Sequence, residues 1–274
     1  MKRIIISGII LVFLSISLVL AGVPNFQSTE VVPSNGHANV KIPENAVEVA
    51  PGIFSLGVHV DPTTGQDVEG YAIFKYKKEN AKPSGNGKGG SSCYVFLSNG
   101  AKWKTQEDYL VDPTNNVGLD EIFVRDNLAE DIQEWENSSG KNSFGNEVYG
   151  NVNATSIGSS LNGQNEVVFG GIDNPGAIAV TIVWGRFEGP IQNRELVEWD
   201  MVYDQVDFAW SSSGSQNAMD FENIAQHELG HAFGLGHPSI SCTEETMYAY
   251  ASLGETKKRD LGTGDIAGIK KLYN

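Results

Sequence analysis

His227, Glu228, His231 and His237 are the residues of this sequence best spaced to do chemistry. They fall in His227-Glu228-Leu229-Gly230-His231-Ala232-Phe233-Gly234-Leu235-Gly236-His237. His227 and His231 stand four apart, so on a helix they share one face and can grip one ion. Neutral imidazoles suit Zn²⁺ at about 2.0–2.1 Å, and a catalytic zinc keeps a fourth position open for water. Glu228 follows the first histidine and can reach that water without binding the ion. Gly234 permits the left-handed conformation that ends a helix and turns the chain back, which brings His237 round as a third ligand. Three of the chain's five histidines lie in this one pattern, so incidental histidines on a helix are the weaker reading. The chemistry indicated is metal-assisted hydrolysis, with Glu228 as general base and then general acid.

This stretch resembles the signature of the metzincin metallopeptidases, H-E-x-x-H-x-x-G-x-x-H followed by a methionine turn. The turn candidate is Glu245-Thr246-Met247-Tyr248, whose Met247 lies ten residues after His237. The resemblance implies one catalytic Zn²⁺ on His227, His231 and His237, with Met247 as an apolar floor beneath it. It also implies a protein or peptide substrate. Met-Tyr adjacency looks most like the matrixin branch, with Tyr248 a candidate wall of the pocket on the leaving side. Ala249 stands where a proline usually follows, and Pro238 stands where matrixins usually carry serine. Matrixins usually hold a second, structural zinc with further histidines. Residues 93–274 contain only the three of the motif, so one zinc is expected. Calcium stays open. Asp173, Asn174, Asp200, Asp204 and Asp207 are oxygen donors in or beside loops, but their spacing matches no calcium loop, and scattered surface carboxylates are the simpler reading.

The elements that must position these residues predict an α+β fold. The expected catalytic domain, residues 93–274, has a twisted mixed sheet, a long helix, the zinc-binding helix, the methionine turn and a closing C-terminal helix. Residues 94–97 read as a first strand and 109–111 as a second. Residues 119–135 are apolar at helical spacing through Leu119, Ile122, Phe123, Ala129, Ile132 and Trp135. Strands follow at 166–169, 178–184 and 197–203. The zinc helix starts near Asp220, a suitable N-cap, and packs Ile224, Ala225, Leu229 and Phe233. A final helix starts near Thr263 and packs Ile266, Ile269, Leu272 and Tyr273. In the metzincins the strand before the cleft binds extended substrate along its edge. By order that is 178–184 here, and its composition fits a central strand equally well.

Upstream, residues 1–22 carry Lys2-Arg3, an apolar run and Ala21-Gly22, the pattern of a secretory signal peptide. An uncleaved N-terminal membrane anchor facing outward is the runner-up, since the run is near the lower limit for spanning a bilayer. Either way the remainder is expected to be secreted or extracellular. Residues 23–92 form a small β-rich segment ending in a Gly/Ser linker. A hairpin signal surrounds Asp61-Pro62-Thr63-Thr64-Gly65, between runs at 53–60 and 71–76. Two readings stand, a pro-segment removed at the linker and a hairpin retained against the catalytic domain.

Cys93 and Cys242 are the only cysteines, and an exported chain with two of them favours a disulfide. A matrixin-like cysteine switch on the metal is the alternative, but Ser91-Ser92-Cys93-Tyr94-Val95 lacks the Pro-Arg-Cys-Gly pattern. The formal charge of −15 argues against nucleic acid or an anionic membrane surface as partners. With 40% hydrophobic residues the chain can bury one sizeable core, and a monomer is expected. The function predicted is a zinc-dependent endopeptidase. A non-catalytic extracellular zinc-binding protein and a zinc hydrolase of non-peptide amides are the alternatives.

Overall fold

The computed structural model describes residues 39–40, 42–80, 92–158 and 161–274, all within one compact unit, Gly36–Asn274. The apolar run near the N-terminus and the Gly/Ser linker after residue 80 lie outside the described residues. In chain order the first elements are β1 (Asn39–Val40), β2 (Val47–Ala50), β3 (Ile53–Val60) and β4 (Asp67–Lys77). Then come β5 (Val95–Phe96), β6 (Glu107–Val111), α1 (Glu121–Ser139), β7 (Phe144–Tyr149), β8 (Asn165–Ile172), β9 (Ala177–Arg186) and β10 (Glu195–Asp204). The chain closes with β11 (Trp210–Ser211), β12 (Met219–Asp220), α2 (Phe221–Ala232), β13 (Leu235–Gly236), β14 (Tyr250–Ala251) and α3 (Thr263–Tyr273). Among the described residues no helix is long and apolar enough to cross a membrane.

One mixed sheet runs in the order β2-β3-β4-β9-β10-β8-β6-β7, with β1 alongside β8 and β14 alongside β4. Pairing from β2 through to β10 is antiparallel, and pairing among β10, β8, β6 and β7 is parallel. Alternation assigns each face. On β10, Trp199, Met201 and Tyr203 enter the core shared with the helices, whereas Val202 enters a second core on the opposite face. On β4, Ile73 joins the helix-side core, and Val68, Ala72, Phe74 and Tyr76 join the second. The described hairpin β3–β4 is therefore an integral part of this sheet. Strand β9 is not an edge strand. It lies between β4 and β10, and nine of its ten residues are buried.

Helix α1 begins at Asp120, whose carboxylate accepts from Phe123 N at 2.9 Å, and ends at Gly140 in the left-handed region. Its buried face differs from the sequence expectation. Val124, Leu128, Ile132 and Trp135 are buried, whereas Ile122 is 65% exposed and Ala129 is exposed. The true stripe includes Asn127 and Asp131, both buried, and those polar residues disguise it in the sequence. The expected first strand at 94–97 is only the two-residue β5, which pairs with β13 and not with the main sheet. Strand β7, absent from the sequence reading, extends the sheet beyond β6.

Candidate metal centre

Helix α2 positions two of the three histidines. Asp220 caps it, accepting from Asn223 N at 3.1 Å, and Arg259 pairs with the same carboxylate at 2.6 Å. Ile224, Ala225 and Leu229 are fully buried and anchor the helix against the sheet. After Phe233 the backbone turns through Gly234, at φ 101°, where an added Cβ would meet Ala101 O and Leu272 Cδ2, each at 3.1 Å. Strand β13 then pairs with β5 and returns the chain toward the helix, placing His237 beside His231.

The three Nε2 atoms converge. His227 and His237 are 3.2 Å apart, and each lies 3.1 Å from His231. A tetrahedral ion at about 2.0–2.1 Å from each ligand would separate them by about 3.3–3.4 Å, so the donor set fits Zn²⁺ closely. Carbonyl oxygens fix the rings. His227 Nδ1 lies 2.6 Å from Thr246 O, and His231 Nδ1 lies 2.7 Å from Leu235 O. A carbonyl can only accept, so each Nδ1 carries the proton and each Nε2 presents its lone pair inward. Burial holds the imidazoles neutral, with His231 lowered to about 3 and His227 and His237 pushed well below the usual range. Among the described residues this is the one group of three or more His, Cys, Asp or Glu side chains close enough to hold an ion.

The Glu228 carboxylate is held from β9. Thr181 Oγ1 donates to its Oε2 at 2.6 Å, and Oε1 is buried without a partner. Burial pushes the Glu228 carboxyl up to about 7, opposed by the Thr181 hydrogen bond and the Lys75 charge. A carboxylate poised near neutrality can both take and return a proton. Lys75, on β4, is fully buried in the same place. Its Nζ donates to Tyr248 O at 2.6 Å and lies 2.9 Å from His227 Nδ1.

Met247 is buried against α2 at Gly230, where any added Cβ would overlap the methionine sulfur. The turn that carries Met247 is clamped by the start of α3. Asp265 accepts from Thr246 N at 2.6 Å, from Met247 N at 3.3 Å and from Gly262 N at 2.9 Å. In return Glu245 accepts from Gly264 N at 2.8 Å, at the positive end of that helix. Tyr248 is half-buried, packs edge-on to Tyr250, and has Lys258 Nζ 5.2 Å from its ring centroid. Cys93 and Cys242 form a disulfide with Cα atoms 5.6 Å apart, which ties the start of the catalytic segment to the loop between His237 and Met247.

The candidate calcium donors hold local structure. Asp204 accepts from Ile172 N, Val206 N and Asp207 N, Asp173 accepts from Asn39 Nδ2, and Asn174 donates to Tyr76 OH. Asp200 is buried within the sheet and is not gathered with the others. Thr181, Lys75 and Asp265 are site residues that the sequence reading missed. Thr181 sits in a run read only as apolar strand, Lys75 in a hairpin read apart from the site, and Asp265 in a segment read as a helix start.

Comparison with known proteins gives the same outline. The Matrixin peptidase family model matches residues 102–274, more than half of the chain. Metalloendoproteinase 1-MMP of Arabidopsis thaliana is 48% identical over 60 residues, 22% of this chain and 15% of that protein. Metalloendoproteinase 1 of Glycine max is 28% identical over 192 residues, 66% of this chain and 56% of that protein. Matrilysin of Rattus norvegicus is 36% identical over 74 residues, 27% of this chain and 26% of that protein. The chain spans less than two thirds of the length of each of these relatives.

Proposed function

Because the chain belongs to the matrixin family, we propose that it is a secreted zinc-dependent endopeptidase acting on protein or peptide substrates. One observation carries the reading: three Nε2 atoms lie 3.1–3.2 Å apart beside a buried glutamate with one free oxygen. His227, His231 and His237 would hold the ion. When bound, Zn²⁺ supplies Lewis-acid polarisation of the scissile carbonyl and acidifies the attacking water.

Glu228 Oε1 takes the proton of that water as it attacks, then delivers it to the amine that leaves. Thr181 keeps Oε2 occupied, so Oε1 is the oxygen that does this work. Thr246 O and Leu235 O keep His227 and His231 in the metal-binding tautomer, and Met247 fixes the turn that supplies the first of those carbonyls. Tyr248 and its neighbours wall the pocket on the leaving side. Export directed by residues 1–22, a monomeric state and any bound Ca²⁺ belong to this reading as well.

The test is cleavage of an unfolded protein by the zinc-loaded chain, intact and after one cut within residues 82–91. Glu228→Gln at equal zinc content is the control. Cleavage by the wild-type residue alone supports the reading. No cleavage by either form, with zinc bound one to one, sinks it.

A further inference from the structure

Basic residues are scarce in this chain, 19 Lys and Arg against 34 Asp and Glu, yet four of them meet at one place. Lys102, Lys104, Arg194 and Lys271 line a cavity of about 430 Å³. It opens between the segment before β6, the start of β10 and the end of α3. No Asp or Glu is among the residues lining it, and Phe96 and Leu272 supply an apolar wall.

The partners of these cations fix them without cancelling their charge. Arg194 donates from Nε to Gly189 O at 3.0 Å, and from Nη1 to Asn99 O at 3.0 Å and Ser98 Oγ at 3.2 Å. Lys102 donates to Tyr273 O at 3.1 Å, and Lys271 donates to Tyr94 OH at 3.3 Å. All of these acceptors are neutral groups. Glu195 is the one acid that pairs with any of the four among the described residues. It lies 2.9 Å from Lys104 and is shared with Arg186. The cavity therefore keeps an excess of positive charge in a chain of net charge −15.

The cavity adjoins the metal centre along the backbone. Phe96 pairs with Leu235 across β5 and β13, and Leu235 is followed by Gly236 and then His237. One strand spacing across and a short step along put Phe96 roughly 10 Å from His237 at the backbone. An extended peptide covers that distance in about three residues.

The lining selects the occupant. Carboxylates answer the cations, and apolar side chains answer Phe96 and Leu272. A long polyanion such as a sulfated glycan answers the cations alone, and beyond the cavity it runs over an acidic surface. The Debye length is about 8 Å at physiological ionic strength, so a short acidic stretch feels the local cations first.

We propose that this basic cavity docks an acidic, partly apolar stretch of the substrate, a few residues from the bond that is cut. The inference rests on the peptidase reading for what the bound peptide is, but not for what the cavity binds. The acidic surface repels acidic proteins in general, and the cavity selects those whose acidic stretch lies at the right distance from a cleavable bond.

Binding is read first, by fluorescence anisotropy on the full zinc-loaded chain carrying Glu228→Gln, which leaves the probe uncut. The probe is a short labelled peptide alternating Glu and Leu, compared with its Gln/Leu counterpart at physiological salt. The Glu/Leu probe should bind about tenfold tighter. Lys104→Gln with Lys271→Gln should remove most of that difference. Both side chains are exposed, and Glu195 keeps Arg186 as its partner. Lys141→Gln with Lys257→Gln removes the same charge elsewhere and should change the difference by less than about twofold. Equal Kd values for the two peptides, or equal losses in the two double variants, would overturn the proposal. A sulfated oligosaccharide that binds through Lys104 and Lys271 where the Glu/Leu probe does not would overturn it too. Turnover of an unfolded acidic protein is read separately, on the chain with Glu228 in place. There KM should rise severalfold in the Lys104→Gln, Lys271→Gln variant with kcat unchanged. Probe binding without any cleavage would keep the cavity and sink the peptidase reading. Cleavage at the same KM with and without the two lysines would sink the docking site alone.

Discussion

The stretch from His227 to His237 makes its site almost from itself, whereas β4 reaches that site from 152 residues upstream, counted from Lys75 to His227. A helical repeat places the first two ligands, one glycine turns the chain, and the third ligand returns within a dozen residues. Nothing comparable announces Lys75. Its position follows from β4 pairing with β9, and that pairing is set by the whole sheet. The donor set here is local, and the packing around it is not. The two regions should therefore fail in different ways when disturbed.

The largest effect expected separates them directly. His231→Ala should lose stoichiometric zinc by elemental analysis and lower turnover by about 10³-fold or more, in both the intact and the cut chain. Lys75→Ala should retain its zinc, because its Nζ lies beside the inner nitrogen of His227, Nδ1, and not beside Nε2. If Lys75→Ala instead lost zinc, the distant strand β4 would be a support of the metal site, and the site would not be local after all.

This contrast explains what could be read in advance. The grouping of the three histidines, the turn at Gly234 and the Asp220 cap were legible because each obeys a short-range rule of spacing or capping. The order of elements also followed, since long periodic segments carry their own signal. The buried face of α1 did not, because Asn127 and Asp131 interrupt the stripe through Val124, Leu128 and Ile132. Whether β9 is central or at an edge was undecidable from its residues. A strand buried on both faces reads as a continuous apolar run whichever neighbours it has. Thr181 and Lys75 matter only because of that arrangement, so no local pattern marks them.

The next effect concerns how the loop between His237 and Met247 is tied back. The Cys93–Cys242 bridge closes a separation of 149 residues, for which the chain-entropy account gives about 4–5 kcal/mol. The double variant Cys93→Ser, Cys242→Ser should lose about 2–5 kcal/mol in urea unfolding monitored by fluorescence. The Nε2 cluster, built without either residue, should still bind zinc once the protein is folded. Loss of zinc binding in the folded variant would show that the local site borrows its shape from the bridge.

A smaller and more local effect tests the methionine contact. Gly230→Val would drive a side chain into the Met247 sulfur and the Trp135 ring. The expected cost is about 1–3 kcal/mol from overpacking, together with a displaced turn. Because Thr246 O from that turn holds His227 Nδ1, zinc affinity should fall as well. Gly230→Val with Met247→Ala should recover part of both losses. Recovery of stability without recovery of zinc affinity would mean that the sulfur contact does not position the ligand.

The smallest effect belongs to the face of the sheet away from the helices. Burial pushes Glu198 up to about 7, against hydrogen bonds from Gly163 N and Asn162 N, and Asp200 and Glu166 are raised for the same first reason. Between about pH 4.5 and 7 the folded carboxyl of Glu198 keeps a proton that the unfolded chain has released. Folding then takes up protons, and stability must fall as pH rises through that window and level off above it. The drop from this group should be on the order of 2 kcal/mol. Measured on His231→Ala, so that zinc binding adds no protons of its own, urea midpoints should decline from about pH 6.5 to pH 7.5, above the range in which the buried His227 and His237 oppose the trend. Glu198→Gln should make that decline shallower by its own share. Asp200, Glu166, Glu228 and Asp265 add to the decline, and the neutral His227 and His237 oppose it below about pH 6.5. An unchanged slope in Glu198→Gln would mean that the two backbone donors at residues 162 and 163 hold the carboxylate ionised. The pH dependence would then have to come from the other buried carboxyls, Glu228 and Asp200 first.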